Sequence, residues 1–237
     1  MEIYNTKLKK CGNIIKIKKY EKKITRGYKR SIIRQEVAEN QVMSEEDKEQ
    51  KRYKDMIKSR NDFIDKINYN FTIKDTFITL TYESNELDPE QTNKDFDNFI
   101  RKLKYHYGKD IKYAYVKSKQ YRGAYHYHVV TDIKFIDYNK LNKLWKYGNI
   151  HIDKIKNVNG VGLYMANNIS KEELLKKEYK KKIFQTSRTC EDAKWIYGDK
   201  AEIIYNALID SGEKPIYNKN FNTQYLDNME IIIYKIE

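Results

Sequence analysis

Long apolar runs, cysteine and proline are all scarce in this chain of 237 residues, and each scarcity removes a class of protein. No apolar stretch approaches the roughly 20 residues that span a bilayer. Met1 to Lys10 lacks the apolar centre of a secretory signal. A soluble cytoplasmic protein with no membrane partner is therefore expected. The two cysteines, Cys11 and Cys190, are too few and too scattered for a disulfide framework or a cysteine-built zinc site. No G-x-x-x-x-G-K-[ST] phosphate loop occurs, so a helicase of that type is not built in. Two prolines, Pro89 and Pro215, stand beside 22 tyrosines. The bias toward Lys, Asn, Ile and Tyr is what an AT-rich genome produces, and it lowers the weight of any single Lys or Tyr.

What is present is enough to fold. Hydrophobic residues make up 40% and aromatics 14%, too much apolar material for a disordered chain. The length suits one sizeable domain with an extension. The formal charge of +13 favours a polyanionic partner such as nucleic acid. That charge is uneven, because residues 1–30 hold eleven Lys and Arg against only Glu2 and Glu21. The segment reads as a basic arm that grips phosphates without reading bases, with Lys18, Lys19, Arg26, Lys29 and Arg30 as DNA-binding candidates. From Ser31 to Asn70 there is no Gly or Pro, and Tyr53, Met56, Ile57, Phe63, Ile64 and Ile67 recur at helical spacing. The expected division is thus a basic helical extension over 1–70 and a catalytic domain over 71–237.

Beyond residue 70 the period changes. Thr76 to Tyr82 is β-branched and aromatic and predicts a buried strand. Asp88-Pro89-Glu90-Gln91 predicts a helix start, with Asp88 as cap, Pro89 first in the helix and Gln91 reaching back. That helix buries Phe96, Phe99, Ile100 and Leu103 and stops near Gly108. Strands follow over Ile111–Lys117 and Ala124–Thr131 as a hairpin, then a helix after Asp137 and a strand over Asn149–Ile155. Gly160 and Gly162 introduce a helix from about Leu163 to Lys181. Strand pattern returns at Lys182–Gln185 and Glu230–Ile236, with a helix around Ala193–Leu208 between them. The fold class expected is α+β, a ferredoxin-like (RRM-like) antiparallel sheet with helices packed on one face.

Two of the four histidines, His126 and His128, flank Tyr127 in a predicted strand. Side chains alternate across a strand, so both imidazoles leave the same face and can ligate one divalent cation through neutral nitrogens. An isolated H-x-H is more often a pair of unliganded sheet histidines. On the later helix, Tyr164, Asn168 and Lys171 fall on one stripe. A phenol, an amide and an ammonium so arranged can act as nucleophile, positioner and charge stabiliser at a phosphodiester, although one tyrosine on an amphipathic helix is unremarkable by itself.

In combination these motifs are more specific. Phe77-Ile78-Thr79-Leu80-Thr81, then Arg122-Gly123-Ala124-Tyr125-His126-Tyr127-His128, then a helical Tyr164 with Lys171 downstream, resembles the HUH endonucleases. The likeness is greatest to the replication-associated proteins of rolling-circle phages and plasmids. It covers about Asn70 to Glu237, including Trp145-Lys146-Tyr147-Gly148 and Thr186-Ser187-Arg188. The resemblance implies that His126 and His128 hold Mg²⁺ or Mn²⁺, and that Tyr164 attacks the scissile phosphate and stays linked to the 5′ end. Single-stranded DNA at a replication origin would be the substrate, with Arg122 and Arg188 among the DNA contacts and a host helicase unwinding the duplex in a bacterial cytoplasm.

The chain departs from the family pattern at three positions. Asn167 stands where a Lys usually follows the nucleophile, Asn168 where a second Tyr is found, and Ser118 where a neighbouring-strand Glu often completes the metal site. Lys171 would then carry the charge role, and Gln120 could supply an amide oxygen to the metal. Tyr179, with Lys182 three residues on, competes with Tyr164 for the nucleophile's place. Tyr164 is favoured by its distance after the histidines. Two other readings use the same residues: a single-tyrosine transposase or relaxase, and a non-catalytic RRM-like module in which Tyr125 and Tyr127 stack bases.

Overall fold

The computed structural model describes residues 2–26, 44–84, 88–119, 123–169, 183–223 and 227–236. Lys29, Arg30, Gln120, Arg122, Lys171 and Tyr179 lie outside them. Among the described residues there are five helices and two five-stranded antiparallel sheets. The chain divides into two units, Met1–Arg52 with Ala193–Glu237, and Tyr53–Asp192.

In the first unit the expected basic arm is instead a β-hairpin, β1 (Glu2–Cys11) and β2 (Ile14–Arg26). Gly12, at φ 59, and Asn13 make the two-residue turn that a tight hairpin requires. Leu8, Ile15 and Ile17 point to one side, where they meet Ile232 and Tyr234 of β10 (Asp227–Lys235) and Ala201 of α5 (Gly198–Asp210). With β8 (Ile196–Tyr197) and β9 (Tyr217–Thr223), the sheet order is β8-β1-β2-β10-β9. The lysines of the hairpin are therefore strand residues. Lys7 lies opposite Lys18, and Lys9 opposite Lys16.

The second unit holds β3 (Thr76–Thr81), α2 (Pro89–Tyr107), β4 (Tyr113–Lys119), β5 (Tyr125–Thr131), α3 (Tyr138–Leu144), β6 (Ile150–Lys154), α4 (Val158–Asn167) and β7 (Phe184–Thr186). Most of α1 (Glu45–Asn70) belongs to it as well. The sheet order is β6-β3-β5-β4-β7. Asp88 caps α2 by accepting from the Glu90 N–H, as its sequence predicts. Gln91 does not reach back but donates to Asp95 one turn on.

Helices cover both faces of this sheet, not one. On the first face α2 and α3 bury Phe96, Phe99, Leu103, Leu141 and Trp145 against Ile78, Leu80, Tyr127 and Val129. On the second, α1 and α4 bury Phe63, Ile67 and Met165 against Phe77, Ala114, Val116 and Val130. The reason is in β3 and β5, which carry apolar residues on both sides of the pleat, so a single helical layer would leave one side wet. Tyr127 is 1% exposed, stacks on Phe96 and donates its hydroxyl to the Thr92 carbonyl, so it belongs to the core and not to a base-stacking surface. Among the described residues no helix is long and apolar enough to cross a membrane.

Candidate active site

The second face of the sheet carries the chemistry. β5 places His126 and His128 on it, one pleat apart, in register with Thr81 and Thr79 of β3 and with Ser118 and Val116 of β4. Their side chains converge until the two Nε2 atoms are 3.0 Å apart. Thr79 Oγ1 lies 3.2 Å from His128 Nδ1, and Ser118 Oγ lies 3.2 Å from His126 Nε2. Phe77 stacks on the His128 ring at 5.7 Å, fixing its plane. The two imidazoles are nearly buried, at 8% and 3% exposure. Burial, followed by the neighbouring His126, pushes the pKa of His128 down to about 4, while a hydrogen bond with Asn168 acts in the other direction. His128 is consequently neutral at physiological pH and keeps a lone pair for an electrophile.

Tyr164 comes from α4, which α1 holds at both ends. Asn68 donates to Asn159 at 2.9 Å, and Arg60 donates to Asn167 at 2.5 Å. Gly162 lets the helices close up, because a Cβ there would already sit 3.4 Å from Ile64. Gly160 and Gly162 thus lie inside the helix and do not introduce it. Asn157 is the cap, accepting from the Gly160 N–H at 3.2 Å. So held, Tyr164 sets its ring edge-on to His128 at 5.1 Å and to Phe77 at 5.9 Å, and it is still 51% exposed. Asn168 ends the helix, donating to the Tyr164 carbonyl at 2.9 Å and bonding to His128. The structure therefore brings together His126, His128, Tyr164 and Asn168.

The remaining predicted residues are dispersed. Lys18 and Lys19 are on β2, and Arg26 closes that strand with an ion pair to Glu2 and a face-on contact with Tyr197. Arg188 is exposed in the turn after β7. Sequence patterns did not single out His151 and Asp153 of β6, whose Nε2 and Oδ1 are 3.2 Å apart on the same face as the histidine pair. Their H-x-D spacing in a predicted strand was the available signal, since it sends both side chains the same way.

Two ligands about 2.1 Å from one ion and at right angles to it stand about 3.0 Å apart, so the Nε2 pair has the spacing of neighbouring corners of an octahedron. The donor set fits a divalent ion as two of its ligands. Among the described residues no cluster of three or more His, Cys, Asp or Glu supplies a larger set. Further ligands would come from Ser118, from residues outside the described ones, or from phosphate and water.

Residues 75–173 match the family model of the replication-associated protein ORF2. That match supports a replication initiator of the Rep type. It runs from the start of β3 through α4, and so takes in both histidines and Tyr164. Comparisons with curated proteins and with solved structures returned no match. DNA is the partner that a Rep-type protein implies, and the net charge of +13 agrees with it.

Proposed function

We propose that this Rep-type chain nicks and rejoins single-stranded DNA at a replication origin, with Tyr164 as nucleophile, in the manner of an HUH endonuclease. The observation that carries the reading is the convergence of two imidazoles under the exposed ring of Tyr164. The order of β3, α2, β4, β5, α3 and β6, with β6-β3-β5-β4 side by side, supports a ferredoxin-like core around that site.

His126 and His128 would hold Mg²⁺ or Mn²⁺, whose bound charge offsets that of the phosphate oxygens. The chain's own residues do the rest. Phe77 and Thr79 fix the plane and tautomer of His128. Asn168 ties the end of α4 to the same imidazole, so that nucleophile and ligands move together. The Tyr164 oxygen attacks phosphorus, the 3′ oxygen leaves, and the 5′ phosphotyrosine conserves the bond for later rejoining. Asn168 occupies the place of a second tyrosine, so one nucleophile serves each cycle. With no phosphate loop in the chain, a host helicase would separate the strands.

The test is incubation of the protein with labelled single-stranded origin oligonucleotides and Mn²⁺, followed by a denaturing gel and mass spectrometry of the adduct. A nucleotide on Tyr164 is expected. Binding without any covalent product would sink the proposal, and a nucleotide on Tyr179 would move the nucleophile.

A further inference from the structure

We propose that His151, oriented by Asp153, accepts the phenolic proton of Tyr164 during strand transfer, an inference that rests on the nucleophile assigned above. The sheet's register carries it. Thr79 of β3 pairs with His128 on one side and with His151 on the other, so His128, Thr79 and His151 form one row across three strands with their side chains on one face. Phe77, which touches the Tyr164 ring, pairs with Asp153. Strands are about 4.8 Å apart, which puts the His151 backbone about 5 Å from that of Thr79 and about 10 Å from that of His128. An imidazole reaching inward covers much of this gap, and one water covers the remainder.

The other groups on this face are committed or inert. Among the described strand residues that share it, the titratable ones are His126, His128, Asp153 and His151. The first two have their Nε2 atoms turned toward each other and are buried. The side chain of His151 is 72% exposed, at the open edge of the sheet. Its Nε2 faces Asp153 Oδ1 at 3.2 Å, which selects the tautomer with the proton on Nε2 and leaves a lone pair on Nδ1. A base oriented by a carboxylate, beside a nucleophile that must shed a proton, is the arrangement that general-base catalysis needs.

In the transfer, the Tyr164 O–H proton passes to His151 Nδ1, through a water where one intervenes. The Oη–P bond forms as the P–O3′ bond breaks, and the departing O3′ takes a proton from solvent. The imidazolium at His151, stabilised by Asp153, returns its proton to the phenolic oxygen when a new 3′-hydroxyl attacks.

The experiment measures single-turnover adduct formation by the full chain at saturating oligonucleotide and Mn²⁺, alongside oligonucleotide affinity. His151→Ala should lower the rate about 100-fold with affinity unchanged, and added imidazole should restore a large part of it. Asp153→Asn should give a smaller loss, of about tenfold. A misfolded variant would not be rescued by imidazole, and His151→Gln, which keeps a polar edge residue, should be as slow as the alanine. An unchanged rate in both His151 variants overturns the role while leaving Tyr164 as nucleophile. Weakened affinity with an unchanged saturated rate also overturns it, making His151 a DNA-binding residue. If Tyr164→Phe still forms the adduct, the nucleophile assignment fails, and this role fails with it.

Discussion

At the scale of single residues, the site depends on groups whose freedom has been removed. His126→Ala or His128→Ala should abolish nicking while leaving oligonucleotide affinity largely intact, because affinity for the phosphate backbone comes mostly from distributed cations. A nicking assay beside fluorescence anisotropy checks this, and normal cleavage by the double variant in chelator would remove the metal mechanism. Gly148 shows how tightly the surroundings are built. A Cβ at this position would lie 2.3 Å from the Glu83 nitrogen and 2.5 Å from the Thr81 carbonyl oxygen. Gly148→Ala should therefore cost about 2–3 kcal/mol in urea unfolding, by forcing apart the chain segments that lead β6 along β3. Adduct formation should fall too, since that pairing sets where His151 stands.

Among the elements, α4 decides most. Its ten residues carry Tyr164 on a helix whose first turn depends on the Asn157 cap. Asn157→Ala should destabilise the chain by about 1 kcal/mol and loosen the nucleophile. The expected signature is a lower single-turnover adduct rate with little change in DNA affinity; an unaffected rate would show that packing against α1 holds the helix alone. The β1–β2 hairpin changes a simpler expectation. Were residues 1–30 a detachable arm, deleting them would only weaken DNA binding. Because Leu8, Ile15 and Ile17 are core residues of the first unit, deletion removes two inner strands and should unfold that unit. Point changes are the appropriate probe.

For the whole molecule, charge is the governing quantity. Replacing Lys18, Lys19 and Arg26 with Gln should weaken single-stranded DNA binding and reduce its salt dependence, by about one unit of log–log slope for each phosphate no longer neutralised. An unchanged slope would mean that these strand residues face no DNA. The same crowding of cations has a measurable effect on stability. Burial, then Lys18 and Lys9, pushes the pKa of Lys7 down to about 8. Between about pH 8 and the ordinary lysine value the unfolded chain holds a proton that the folded chain has released, so stability from this group rises as pH climbs through that window. Below pH 8 both forms are protonated and the folded state bears the full penalty. Lys7→Met should thus stabilise the first unit by roughly 1 kcal/mol at pH 7, net of the cation–π attraction to the Trp195 and Tyr20 rings that it removes, and the gain should fade by about pH 10. Trp195 fluorescence during urea titration at the two pH values reads this directly.

Local chemistry was legible in the sequence. The Asp88 cap, the stop at Gly108, the strand at Phe77 and the shared face of His126 and His128 all follow from rules acting within a few residues. So does the separation of the tyrosine helix from the histidine strand by one helix and one strand. What the sequence obscured was the alternation of Leu and Ile with Lys in residues 2–26, where the count of charges outweighed the period of two and the Gly12-Asn13 turn. Only the tertiary structure decided the rest. Sheet order brings β6 beside β3 across a long stretch of chain, and Thr79 thereby acquires His128 and His151 as opposite neighbours. Burial on both faces of that sheet drew α1 and α4 onto the histidine side and set Tyr164 against His128. Pairings between distant segments depend on which surfaces exclude water together, and no local pattern records that.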